Sequence, residues 1–214
     1  MRGIGTPAAT KQVRPGKDAI LRAAVRVMGE QGYEGASTRD MAAAAGVSVA
    51  ALYHHFPSKH DLLREFLDEA WSIVLARLDR RLRAVPPTPP ARLGEIVATL
   101  IASYVHDDFA LSASNVALRE YNRLDPPQRR AIEAKIDRLL RLVEREVVAG
   151  IASGDFTTSE PREAARAIIL LCAALIGPYP SMGRTMPEVI SLYQGFAGSL
   201  VGSTVPLQPD SQQN

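Results

Sequence analysis

Between its turn signals this 214-residue chain repeats its apolar residues every three or four positions, and nowhere every two. The first period is that of a helix with one buried stripe, the second that of a half-buried strand. The pattern therefore predicts an all-α fold, of about nine helices. Ile20, Ala23, Ala24, Val27 and Met28 mark the first, loosened at Gly29 and Gly32. Ser37 is placed to cap a second helix through Met41, Ala42 and Ala45, with Asp40 three residues on in a capping-box arrangement, and Gly46 stops it. Ser48 caps a third, Val49 to Phe56, ended by Pro57. Ser58 caps a long fourth, whose inner face reads Leu63, Phe66, Leu67, Ala70, Val74 and Leu78.

The stretch Pro86-Pro87-Thr88-Pro89-Pro90 cannot be helix interior and is the clearest break. Beyond it lie segments from Leu93 to Val105 and from Leu111 to Leu124. Pro126-Pro127 opens a helix with the stripe Ile132, Ile136, Leu139, Leu140, Val143 and Val147, ended at Gly150 and Gly154. Two more run from Pro161 to Ile176 and from Val189 to Val201. The polar tail from Ser203 is expected to be disordered. Residues 167–176 are apolar on every side, so this helix is buried all round, either as a central core helix or beneath a second subunit.

Composition narrows the function classes. Hydrophobic residues make up 46% and charged residues 22%, as in globular chains. The longest apolar run is about half of a membrane span. A single cysteine, Cys172, excludes an internal disulfide framework, and burial in an apolar helix would leave its thiol inert. These features favour a soluble cytoplasmic protein with no membrane partner. Residues 1–64 hold nine Lys/Arg against five Asp/Glu, and the rest of the chain sixteen against eighteen. A basic front on a slightly acidic body points either to a polyanion bound at that end or to a solvated tail. His54 and His55 are neighbours about 100° apart on a helix, unsuited to holding one metal. His106-Asp107-Asp108 reads as a polar helix end. No nucleophile–base order, Gly-rich phosphate loop or paired-carboxylate spacing stands out, so no enzyme, cofactor or metal site is expected.

The segment from Gly32 to Lys59 carries the function. It reads as two short helices joined by a tight turn at Gly46, with Ala42 and Ala45 allowing close approach and Val47 and Leu52 filling the space between. That is a helix-turn-helix, whose second helix, starting at Ser48, fits the DNA major groove. The residues Gly32-Tyr33, Ser37-Thr38, Met41-Ala42, Ala45-Gly46-Val47-Ser48, Leu52-Tyr53, His55-Phe56 and Ser58-Lys59 resemble the signature of the TetR/AcrR family of transcriptional regulators. The likeness is strong over roughly residues 15–64. It implies a basic disordered arm over 1–14, a three-helix DNA-binding domain over 15–62, a helical ligand-binding and dimerisation domain over 63–202, and a disordered tail over 203–214.

By the same resemblance Thr38 bonds a phosphate and Arg39 reaches a base or a phosphate. Ser48, Val49, Ala50 and Ala51 begin the recognition helix. Tyr53 and His54 grip the backbone, and Lys59 meets a phosphate at a helix N-terminus. Many relatives carry Lys, Gln or Thr where this chain has Val49-Ala50-Ala51, none of which donates a hydrogen bond from its side chain. Readout is then left to methyl contacts, Arg39 and DNA shape. The body should bind an apolar effector, with Trp71, Tyr104, Phe109, Asn115, Arg119, Tyr121 and Tyr179 as candidate lining residues. Leu118 to Leu124 followed by Asp-Pro-Pro resembles the segment in relatives that sense fatty acyl or steroid-derived CoA thioesters. A homodimer through the last two helices, aided by Gly195 and Gly198, would read a palindromic operator as a ligand-released repressor. A charge at Leu171 or Leu175 is then expected to yield monomers or aggregates. The alternative is a DNA-binding protein that needs no effector.

Overall fold

The computed structural model describes residues 15–105, 120–121, 124–175 and 183–207, and among these every regular element is a helix. Eight are present: α1 Lys17–Gly35, α2 Thr38–Ala44, α3 Val49–His55, α4 Lys59–Arg81, α5 Pro89–Val105, α6 Pro126–Ser153, α7 Pro161–Ala173 and α8 Met186–Val201. The helix expected from Leu111 to Leu124 lies largely outside the described residues, as does the basic arm over 1–14.

Local chemistry sets most of these boundaries. The side chains of Ser37, Ser48 and Ser58 accept from the backbone N–H groups of Asp40, Ala51 and Asp61, at 3.0–3.1 Å. Each satisfies a donor that the first helical turn leaves free. Pro89 opens α5, four residues earlier than the apolar pattern indicated, because a helix's first turn needs no N–H from proline. Gly150 does not end α6. It lies inside the helix, where a Cβ would stand 2.0 Å from the Phe156 ring, and the helix ends one turn later at Gly154.

The buried side chains form two cores. One holds the inner faces of α1, α2 and α3 with Leu62, Leu63, Phe66 and Leu67 of α4. The other lies among α4 to α8 and includes Leu78, Leu100, Val143, Phe156 and Ile168. α4 belongs to both, and Trp71 packs against both at the seam. The first core is completed from the body: Leu124 and Ile132 are 2% and 3% exposed within it. A polar seam runs beside them. His60 Nε2 meets Gln128 Oε1 at 2.7 Å, and Lys135 donates to the Asp68 carbonyl and to Ser72 Oγ, each at 2.8 Å.

Three expectations are corrected. The tail does not become disordered at Ser203. Ser203 N–H donates to the Gly198 carbonyl at 2.8 Å, and Leu207 is buried against α5. Within one chain α7 is not covered all round, because Leu170 is 62% exposed. Its inner side carries Ile168, Cys172 and Leu175, and burial pushes the Cys172 thiol up to about 12. Gly198 faces Leu207 of its own chain, whereas Gly195 is open. The outward face of α7 therefore centres on Leu170 rather than on Leu171 or Leu175.

The closest backbone approach gives the first testable expectation. A Cβ on Gly94 would lie 1.6 Å from the Leu207 carbonyl oxygen. Gly94→Ala should push the C-terminal segment off α5 and expose Leu207, a loss of about 1.5–3 kcal/mol. Urea unfolding that gives the wild-type midpoint would show that the segment adds nothing.

Candidate nucleic-acid interface

The reading head is assembled from short-range rules. At Gly46 the backbone takes φ 67°, a conformation that side-chain-bearing residues resist. Val47 N–H then reaches back to the Ala42 carbonyl and Gly46 N–H to Ala43, both at 3.0 Å, closing α2. Met41, Ala42, Ala45 and Leu52 are buried between α2, α3 and α1, with Val47 half-buried beside them. The pair is thereby locked, and the first turn of α3 faces outward.

Ala50 is exposed there, with Val49 and Ala51 half-buried. Ser48 spends its acceptor on the cap, leaving its hydroxyl hydrogen for an outside partner. Thr38 is half-buried and Arg39 exposed, both in the first turn of α2. Tyr53 is 43% exposed and His54 also faces solvent. The His54 and His55 rings meet edge to face at 5.4 Å, and Phe56 is fully buried as a core residue. Lys59 opens α4 with its Nζ 4.4 Å above the Tyr33 ring. This contact, invisible in the motif except as an aromatic after Gly32, holds the ammonium at the end of the head where α4 presents its N-terminal dipole. Tyr33 reaches that position because Gly32 breaks α1 at φ 74°.

Of the candidate effector residues, only the side chains of Trp71 and Tyr121 lie among the described residues. Tyr121 lies against the reading-head core and donates to Glu133 at 2.8 Å. Burial, then that hydrogen bond, pushes its phenol up to about 12. Trp71 sits at the seam of the cores. The side chain of Tyr104, with Phe109, Asn115, Arg119 and Tyr179, lies outside the described residues. Leu124 and Ile132, which tie the body into the reading head, were missed as functional residues. The stripe of Ile132 was visible in the sequence, but its partner was not, and Leu124 lay on no stripe that was read.

Residues 20–66 match the family model for bacterial regulatory proteins of the tetR family, and residues 86–194 match that for the tetracyclin repressor-like C-terminal domain. The chain belongs to the TetR family of bacterial transcription regulators, with a helix-turn-helix reading head and a helical C-terminal domain. It is 29% identical to the HTH-type transcriptional regulator CymR of Pseudomonas putida over 125 residues. That stretch is 58% of this chain and 60% of CymR, so the chain spans less than two thirds of that relative. Among solved structures it resembles AibR in complex with isovaleryl coenzyme A and operator DNA. The TM-score is 0.75 at 23% identity, over 87% of this chain and 98% of that one. It also resembles FadR of Bacillus subtilis in complex with stearoyl-CoA, at TM-score 0.70 and 20% identity, with the same coverage of 87% and 98%. Among the described residues no helix is long and apolar enough to cross a membrane.

Proposed function

We propose that this protein is a transcriptional repressor that binds a palindromic operator as a homodimer and is released by a largely apolar effector, an acyl-CoA or related lipid-derived molecule. The observation that carries the reading is the shared core: Leu124 and Ile132 of the body are buried among the residues that hold the helix-turn-helix. The segment 106–119, with three of the candidate effector residues, leads in sequence straight into them. A ligand that repositions this segment acts on the reading head through Leu124 and Ile132 as well as through α4. It lowers operator affinity by its differential affinity for the two arrangements. The acyl-CoA class is supported by the Leu118–Leu124 resemblance and by the isovaleryl coenzyme A and stearoyl-CoA held in the AibR and FadR structures.

The dimer is supported by apolar surface on α7 and α8. Leu170, Phe196 and Leu200 are 62%, 46% and 42% exposed, and Leu192, Phe196 and Leu200 recur every four residues along one helix face. A two-fold dimer presents two α3 helices to half-sites about 34 Å apart or somewhat more. DNA is held through Thr38, Tyr53, His54 and Lys59 on phosphates, while Arg39 and the methyl face of Val49, Ala50 and Ala51 meet the bases.

Two measurements test this. Operator titrations with and without C4 to C18 acyl-CoAs should show one chain-length class weakening binding. A protein that no such ligand stabilises or releases is an effector-independent binder. Lys59→Ala should weaken binding to every sequence and reduce the slope of log affinity against log salt by about one. An unchanged slope would remove the start of α4 from the phosphate contacts.

A further inference from the structure

An open groove of about 680 Å³ lies on the flank of the body, between the C-terminal end of α4, the start of α5 and the middle of α6. Five arginines line it, Arg83, Arg92, Arg138, Arg141 and Arg145, against two carboxylates, Asp79 and Glu144. That excess stands out in a body whose residues 65–214 carry two more acids than bases. Arg138, Arg141 and Arg145 recur at three and four residues, so one stripe of α6 forms a guanidinium wall. Arg83 faces it from beyond the end of α4, is exposed, and makes no ion pair among the described residues.

Each arginine of the wall has a carboxylate partner, Asp79, Asp137 or Glu146, whereas Arg83 has none among the described residues. Glu144 is taken by Arg162 from α7 at 2.9 Å. Glu146 serves two arginines: Arg92 binds it in a fork, at 2.9 and 3.0 Å, and Arg145 at 2.9 Å. Burial would raise the Glu146 carboxyl, but the hydrogen bonds from Arg92 and Arg145 outweigh it and hold it below the usual range. Arg92 also donates to the Leu82 carbonyl at 3.1 Å, which fixes one end of the groove. The remaining pairs, Arg138 with Asp79 and Arg141 with Asp137, are exposed and therefore weak enough to exchange for a stronger anion. Leu82, Leu142 and Val148 supply an apolar floor between the charged walls.

We propose that this groove binds an organic diphosphate, with its phosphates between Arg83 and the Arg138–Arg141–Arg145 wall and its organic part over Leu82, Leu142 and Val148. Guanidinium forks match phosphate oxygens two at a time, and the groove has the size of an ordinary small-molecule site. The site is separate from the reading head, about 33 Å along α4 from Lys59. An acyl-CoA effector also carries a diphosphate, so the charge-reversed groove variant, rather than ADP binding alone, separates this site from the effector site.

The test is thermal unfolding of the full chain with ADP, inorganic pyrophosphate and adenosine, in the wild type, in Arg83→Glu/Arg141→Glu, and in Lys59→Ala. ADP at about a hundred times its Kd should raise Tm by about 5–10 °C, pyrophosphate less and adenosine least. The rise should persist in Lys59→Ala and vanish in the double variant. Should the double variant fail to fold, Arg141→Gln alone must weaken ADP binding about tenfold by calorimetry, the effect of one lost charge-assisted bond. No rise in the wild type, an equal rise in the charge-reversed protein, or a rise lost in Lys59→Ala would each overturn the proposal. Pyrophosphate matching ADP would overturn the role of the apolar floor.

Discussion

Leu170→Arg should convert the protein to monomers at micromolar concentration and lower operator affinity by about two orders of magnitude or more, through loss of the second half-site. In the single chain Leu170 is 62% exposed on α7, so the arginine reaches water and changes monomer stability by less than about 0.5 kcal/mol. In a dimer packed through α7 and α8 the same arginine would be buried against apolar surface from both subunits, with no partner for its charge. Sedimentation gives the mass, circular dichroism the retained fold, and a titration of full and half operators the affinity. A variant that sediments as a dimer would place the interface elsewhere. A charge at Leu175 is a different experiment, because that side chain is 4% exposed and belongs to the core of its own chain. Its substitution should unfold the body rather than divide a dimer.

Ile132→Ala should destabilise the protein by about 3 kcal/mol, the transfer loss of three carbons together with the cavity they leave. The residue lies on α6, far in sequence from the helix-turn-helix, yet is 3% exposed within the cluster that holds Leu52, Phe56 and Phe66. The reading head should therefore loosen first. Amide exchange of α1 to α3 is expected to accelerate more than that of α7 and α8, whose core Ile132 does not touch. If urea unfolding shows an unchanged midpoint, or exchange rises only in the body, the head is independent. Transmission of a ligand signal would then rest on α4 alone.

The reading head and the body differ in how far their residues disclose them. Ser37, Ser48 and Ser58 cap their helices by bonding a backbone N–H three residues away, and Gly46 turns the chain with its own φ angle. Each of these outcomes depends on a handful of consecutive residues, and each was correctly read from the chain alone. The apolar stripes of α1, α4 and α6 were read in their main line, because helical period is also local, but Leu21, Val25, Leu62 and Leu75, all buried, fell outside the predicted stripes. What faces each stripe is not local. The six-residue stripe of α6 divides between two cores, Ile132 going to the reading head and Leu139, Val143 and Val147 to the body. Arg92 and Glu146 pair across 54 positions, and Leu207 folds back on Gly94 across more than a hundred.

By itself, then, the sequence determined the all-α class, the boundaries of most described helices to within about a turn, and the helix-turn-helix. The tertiary structure alone decided that α7 shows Leu170 rather than Leu171 or Leu175 to the outside, that the tail from Ser203 begins as a packed segment, and that the body lends two side chains to the DNA-binding core. The physical reason is that caps, turns and periodicity arise within one or two helical turns. Burial depends on which faces meet, and this is settled by the summed packing of residues that the chain's own order keeps far apart.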